Sequence, residues 1–251
     1  MNNLSASKSH GKIDILYQDR QIVVINKPAG LLSVPFSLGR GRTALSILEE
    51  KLQSKGRANS KYHPYAVHRL DRDTSGIMMF ALTESARKKI MDTWHKMVTL
   101  RQYRALCEKN PKMNIINFHL QDCGLIDAPI AKNAYNVGFV PKADSRAKNG
   151  RPFLTESART FYKVIEEGKK YVLFELTLDT GKKNQIRAHL SAAGFPVLGD
   201  QSHRAKENPF GRLCLHALSL EFTHPFTSEQ LKFKIDEPEA WRKICKDTYI
   251  S

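Results

Sequence analysis

His68-Arg69-Leu70-Asp71-Arg72-Asp73-Thr74-Ser75-Gly76 runs directly into Ile77-Met78-Met79-Phe80-Ala81-Leu82. The first segment holds two carboxylates, two guanidiniums, an imidazole and two hydroxyls; the second is apolar throughout. An unbroken apolar run of this length reads as a buried strand. A polar loop entering such a strand has its side chains on a rigid support. Asp71 stands beside Arg72 and two residues from Arg69, and in an extended chain residues two apart share a side. Positive charge nearby keeps a carboxylate ionised, and an ionised, positioned carboxylate serves as nucleophile or base. The same residues also suit an ion pair that only orders the loop.

Outward from this segment, strands and helices alternate irregularly. Residues 13–17 and 22–26 are Ile- and Val-rich and read as paired strands, closed by the turn Lys27-Pro28-Ala29-Gly30. Leu45, Leu48 and Leu52 mark a helix over 43–54, and residues 55–63 form a polar surface loop. Thr83 is placed to cap a helix whose inner face is Ala86, Ile90, Trp94 and Met97. Strands follow over 100–107, part of 115–126, 171–178, 213–222 and 230–235. Residues 136–151 read as a long exposed loop. Asn184–Ala193 is a helix that ends at Gly194, and a closing helix covers 238–247. Many strands with few helices give an α+β class, not a regular parallel layout.

Net charge is +15 over 251 residues, from 40 Lys+Arg against 25 Asp+Glu. Such an excess attracts polyanions, with nucleic acid foremost, over a surface that is merely kept soluble. Cys107, Cys123, Cys214 and Cys245 are widely spaced, without Cys-x-x-Cys, which argues against a zinc ribbon or redox pair and for reduced thiols. His189, His216 and His224 form no ligand set, and no metal is expected. Residues 1–12 read as a flexible leader with no apolar core of signal-peptide length. No run approaches the ~20 apolar residues of a membrane span. The expectation is a cytoplasmic monomer with no membrane partner.

Two further segments carry chemistry. Tyr103 lies in Leu100-Arg101-Gln102-Tyr103-Arg104-Ala105-Leu106. Its ring can stack on a base and its oxygen can move a proton, although a half-buried strand tyrosine looks the same. In Thr180-Gly181-Lys182-Lys183-Asn184-Gln185-Ile186-Arg187-Ala188-His189-Leu190, three cations surround a turn-to-helix junction. That is a phosphate site or a solvated basic turn, and Arg187 on the first turns can fork onto a carboxylate.

His68-Arg69-Leu70-Asp71 with Thr74-Ser75-Gly76 resembles the signature of the RluA-type pseudouridine synthases, which isomerise chosen uridines of RNA. The resemblance puts the catalytic aspartate on Asp71 and leaves Asp73 at a variable position. Leu100–Leu106 resembles the family's Lys-x-Tyr motif, with Arg101 in the lysine place and the active-site tyrosine on Tyr103. The third block resembles Thr-Gly-Arg-x-His-Gln-Ile-Arg-x-His-Leu. Its last arginine, which pairs with the catalytic aspartate, falls on Arg187, while Lys182 and Asn184 replace the usual Arg and His. Asn26-Lys27-Pro28-Ala29-Gly30-Leu31, Gly194–Asp200, Leu215-His216-Ala217 and His224-Pro225 resemble further family blocks. Gln201-Ser202-His203 stands where relatives place a Tyr-Gly pair.

The resemblance implies a pseudouridine synthase fold over 13–247: a mostly antiparallel mixed sheet in two lobes with a central catalytic cleft, in the compact form without an N-terminal RNA-binding domain. It implies catalysis by Asp71, Tyr103 and Arg187 without cofactor. Structured RNA, a ribosomal or transfer RNA stem-loop, would be held by His68, Arg69, Arg72, Arg101, Lys182 and Lys183, with His68 also placing the loop. Specificity is expected from 36–62 and 136–153. The alternatives are a non-catalytic RNA-binding protein or chaperone, a glycosidic-bond hydrolase using Asp71 with Asp73, and a basic structural protein.

Overall fold

The computed structural model describes residues 12–35, 41–54, 63–147 and 149–247. The expected leader, apart from Lys12, lies outside the described residues, as do 36–40 and 55–62 of the first expected specificity loop. The chain forms, in order, β1 (Asp14–Gln18), β2 (Ile22–Lys27), α1 (Ala44–Ser54), β3 (Tyr65–Ala66), β4 (Ser75–Ala81) and α2 (Glu84–Met97). Next come β5 (Val98–Glu108), β6 (Cys123–Asp127), β7 (Ile130–Lys132), β8 (Gly138–Phe139), β9 (Thr155–Glu156), β10 (Arg159–Glu167) and β11 (Tyr171–Leu178). The last are α3 (Gln185–Ala192), β12 (Leu215–Thr223), β13 (Gln230–Lys234) and α4 (Glu239–Asp247). They fall into two compact units, one made of residues up to Arg101 with His216–Asp236, the other of Gln102–Leu215 with the residues from Glu237 onward.

In the first unit β1, β2, β4 and β12 are neighbours in that order, with β3 beside β4 and β13 beside β12. β2 and β4 are antiparallel from Ile22↔Ala81 to Lys27↔Gly76. β4 and β12 are parallel, with His216 opposite Ser75 and Ala217 opposite Gly76. All of β4 is buried, as its unalternating apolar sequence requires. Ile77, Met79 and Ala81 pack with Ala86, Ile90 and Met97 of α2 and with Leu220 and Phe222 of β12. α2 starts where expected: the Ala86 N–H donates to Thr83 Oγ1 at 3.1 Å, which satisfies one of the amides a helix leaves open. In α1 the buried residues are Ala44, Ile47, Leu48 and Leu52, so Ile47 takes the inward place expected of Leu45.

In the second unit β5, β11, β10 and β6 form consecutive antiparallel neighbours. Leu106, Phe174, Leu176, Leu190, Val197 and Trp241 belong to one buried cluster that includes α3 and α4 residues. Cys107, Cys214 and Cys245 lie in this core and Cys123 is exposed, and none of the four forms a disulfide. Burial pushes the Cys214 thiol up to about 12. β10 was not expected, yet its sequence alternates: Thr160 and Tyr162 are buried while Arg159, Phe161 and Lys163 face outward. Its charged outer face hid the strand period. The segment 136–151 is likewise not all loop. Gly138 and Val140 are buried, and β8 pairs with β7, the middle strand of a small sheet with β9. Among the described residues no helix is long and apolar enough to cross a membrane.

Gly76 adopts φ +111°, and a Cβ there would overlap the backbone of Ala217 on β12. Gly76→Ala should therefore cost about 3 kcal/mol or more, combining overpacking with a strained backbone. Urea unfolding should show the midpoint falling sharply; a wild-type midpoint would contradict the close β4–β12 approach.

Candidate active site

The loop that carries Asp71 is pinned on both sides of that residue. Ahead of it, the buried Ser33 hydroxyl donates to the Leu70 carbonyl at 2.7 Å and accepts from the Leu70 N–H at 3.2 Å. Behind it, the Lys27 ammonium donates to the Arg72 carbonyl at 3.0 Å, and also to Pro28 O at 3.0 Å and Leu31 O at 2.7 Å. Lys27 has no exposed surface, so these charge-assisted bonds offset its desolvation. The Thr74 N–H donates to Asp71 O at 3.2 Å and closes the turn. At the entry to β4, Ser75 Oγ donates to His216 Nδ1 at 2.8 Å, because His216 Nε2 already donates to Ile235 O at 3.0 Å. Asp71 itself is half-buried, at the edge of a fully buried strand.

Two of the expected RNA contacts in this loop have partners within the protein. Arg72 forks onto its neighbour Asp73, with Nε and Nη2 at 3.1 and 3.3 Å in an exposed pair, so its cation is directed to Asp73 as well as being an RNA candidate. Asp73 is accordingly a poor second carboxylate for hydrolysis. His68, expected among the RNA contacts, is a structural acceptor: the Met79 N–H on β4 donates to its Nε2 at 2.9 Å, and its ring lies 5.0 Å from that of Trp94. Burial, helped by the Arg101 charge, lowers His68 to about 4. The ring is thus neutral at physiological pH and offers a phosphate no charge.

In the second unit, the turn into α3 is knitted to β10 by the buried Gln185. Its Oε1 accepts from Thr180 Oγ1 and the Lys182 N–H at 2.8 and 2.9 Å, and its Nε2 donates to Arg159 O and Thr160 Oγ1 at 2.9 and 3.0 Å. Two residues on, Arg187 forks onto Asp200, Nε to Oδ2 at 2.6 Å and Nη2 to Oδ1 at 2.7 Å. Burial by itself would raise the Asp200 carboxyl, but Arg187 and His203 outweigh it and hold that group well below the usual carboxylate range. His203 Nδ1 is 3.0 Å from Asp200 Oδ2, and its Nε2 donates to Gly138 O at 2.8 Å. Asn184, in left-handed conformation at φ +57°, accepts the Gly138 N–H on Oδ1 at 3.1 Å. The Arg187 fork anticipated from the sequence thus has Asp200 as a partner. In the sequence Asp200 only ends a block that resembles the family's and His203 only falls in a departure from it; the Gly-Asp pair a few residues after a helix stop was the available signal.

Asp71, His68, Arg69, Arg72 and Arg101 belong to the first unit, and Tyr103, Lys182, Lys183 and Arg187 to the second. Tyr103 is half-buried on β5, opposite Leu176 and against the core. Lys182 donates to Glu156 at 2.7 Å, a surface pair that also engages Lys132 and that a phosphate could displace at little cost. The other histidines serve the fold. His189 Nε2 donates to Ala128 O and its Nδ1 accepts from Thr160 Oγ1, both at 2.9 Å. His224 Nδ1 accepts the Thr227 N–H at 3.0 Å, with Asp19 2.9 Å from Nε2.

Residues 21–192 match the RNA pseudouridylate synthase family. The chain is similar to the dual-specificity RNA pseudouridine synthase RluA of Yersinia pestis, 36% identical over 88% of this chain and 98% of that protein. It is also similar to the ribosomal large subunit pseudouridine synthase D of Zymomonas mobilis subsp. mobilis, 29% identical over 95% of this chain and 74% of that one. Among solved structures, human RNA pseudouridylate synthase domain containing 4 shares the fold, with a TM-score of 0.67 and 23% identity over 90% of this chain and 89% of that one.

Lys27→Met should remove the shared donor of three carbonyls, lower stability by about 2–4 kcal/mol in urea unfolding, and reduce activity by releasing the Asp71 loop. Burial holds the His68 imidazole at about 4 in the fold, below its ordinary value of about 6.5. Its contribution to stability is therefore complete above about 6.5 and is lost as pH falls from there toward 4. Urea midpoints measured across that range should fall more steeply for wild type than for His68→Gln, which keeps an acceptor but does not titrate.

Proposed function

Because the chain belongs to the RNA pseudouridylate synthase family and is an RNA pseudouridine synthase, we propose that it acts on ribosomal or transfer RNA with Asp71 as its reacting carboxylate. The reaction breaks the bond from C1′ of ribose to N1 of uracil and forms one from C1′ to C5. The C5 proton is lost and N1 gains one, so the change is an isomerisation that needs no oxidant or reductant. A base within a stack must first be turned out of it, and the chain's basic character would hold the opened strand by its phosphates.

The observation that carries this reading is the anchoring of both peptides beside Asp71, Leu70 by Ser33 and Arg72 by Lys27. A carboxylate that must meet one atom of a turned-out nucleotide gains from such rigidity. In this reading Arg187 pairs with Asp71 and keeps it ionised, and Tyr103 lies against the uracil and takes part in the late proton removal. Arg69, Arg72, Arg101, Lys182 and Lys183 bind RNA phosphates. The words ribosomal large subunit in one relative's name and dual-specificity RNA in the other's support an RNA substrate, read here as a stem-loop of ribosomal or transfer RNA. The enzyme is read as a cytoplasmic monomer.

Pseudouridine should be mapped by chemical derivatisation and primer extension in RNA from cells with and without the gene. A uridine that loses its modification, and regains it with wild type but not with Asp71→Asn, is the expected result. Equal rescue by Asp71→Asn would leave RNA binding as the function. Arg187→Lys should lose most activity while retaining the fold. Arg187→Ala should also unfold more readily, by about 3–5 kcal/mol, because it strands the buried Asp200 carboxylate.

A further inference from the structure

The turn between β7 and β8 holds Tyr135 out in solvent. The residue is 88% exposed, although the backbone around it is tightly bonded. Asn133 Oδ1 accepts the N–H groups of Tyr135 and Val137 at 2.9 and 3.0 Å. The Asn133 N–H donates to Val137 O at 3.0 Å, and the Asn136 N–H donates to Asn133 O at 2.8 Å, with Asn136 at φ +58°. An ordered turn that keeps a large aromatic ring wet gives up its burial energy, roughly 1.5–3 kcal/mol for a side chain of this size. The expense is intelligible if a ligand covers the ring.

The root of the same hairpin is clamped. Both polar groups of the Gly138 peptide are taken, N–H by Asn184 and C=O by His203. A Cβ at Gly138 would overlap the Lys183 carbonyl, so β8 lies directly on the turn that leads into α3. His203 contacts Asp200, and Asp200 holds Arg187. The exposed ring is therefore tied, through Gly138, His203 and Asp200, to the arginine assigned to the reaction. Around the hairpin the chemistry suits a nucleic acid. Lys132, the last residue of β7 and opposite Gly138 of β8, grips Glu156 on β9 together with Lys182. Leu154, 92% exposed, precedes β9.

We propose that Tyr135 is a base-stacking site for an unpaired nucleotide of the RNA substrate beside the target uridine, and that Asn184 and His203 are positioning residues that hold this platform in register with Arg187. The proposal rests on RNA being the substrate. Aromatic rings that stack unpaired bases contribute about 1–3 kcal/mol per base without regard to sequence. The hydroxyl is not needed and the ring is.

The test uses full-length protein and unmodified transcripts of large-subunit ribosomal RNA and of transfer RNA. Tyr135→Ala should raise Kd and KM roughly 5- to 100-fold on the cognate transcript, with kcat at saturating RNA and the melting temperature unchanged. The slope of log Kd against log salt should stay at its wild-type value, since no phosphate contact is removed. Tyr135→Phe should retain wild-type affinity, and fluorescence from Tyr135→Trp should be quenched on RNA binding. Asn184→Gly tolerates the left-handed backbone while deleting the acceptor. It should raise KM, and its effect should not add to that of Tyr135→Ala; Asn184→Asp should restore function. Wild-type affinity in Tyr135→Ala, or an effect confined to the salt slope, would overturn the site. Full additivity of the two variants would overturn the coupling. A wild-type protein that forms no pseudouridine yet shows the Tyr135 binding effects would sink the proposed reaction and leave the stacking site standing.

Discussion

A lysine ammonium with no exposed surface sits beneath the loop that carries Asp71. Lys27 is at the end of β2, opposite Gly76 at the start of β4, and its Nζ gathers carbonyls from its own turn and from Arg72. Burying a charge costs several kcal/mol, and the cost is met only while the turn after β2 and the loop before β4 keep their shape. The Pro28–Leu31 turn, the Asp71 loop and the β2–β4 register are thus one construction. Ser33 and His216 complete it from flanking segments, so the position of Asp71 follows from bonds made by residues that have no chemistry of their own.

The second unit solves a comparable problem with an acid. Asp200 is buried and kept ionised by Arg187 and His203. An arginine held on two nitrogens by a rigid carboxylate has little rotamer freedom left, which suits a group that must present a fixed charge. Two departures from the family pattern meet at one peptide here. Asn184 stands in the place of a histidine and His203 lies in the segment where relatives place a Tyr-Gly pair, and each holds one polar group of Gly138. They are residues that fit together, and their common product is a fixed β7–β8 hairpin.

Much of this was legible in the chain. Ile77–Leu82 has no polar position to turn outward and so reads as a strand buried on both faces, and Thr83 ahead of an amphipathic run reads as a helix cap. Gly76 reads as a requirement once β12 is known to approach it. The small sheet and β10 were harder. β10 is amphipathic with aromatic and charged residues outward, and β8 and β9 are two-residue strands whose pairing partners lie elsewhere. Short strands carry too few residues to show a period.

The amino-acid sequence by itself determined the family and the class of chemistry, and it nominates the candidate reacting groups. Asp71, Tyr103 and Arg187 sit in long motifs whose residue types have few other uses together, and the excess of cations points to a polyanion. Hydrogen-bond partners were decided only by the tertiary structure. Which carbonyls Lys27 would bind, that Arg72 would pair with Asp73, that His68 would accept a β4 amide, and that Asp200 would hold Arg187 depend on distances between segments remote in the chain. A donor's partner is chosen by geometry within about 3 Å, and sequence spacing does not encode geometry at that scale once the chain has turned back on itself.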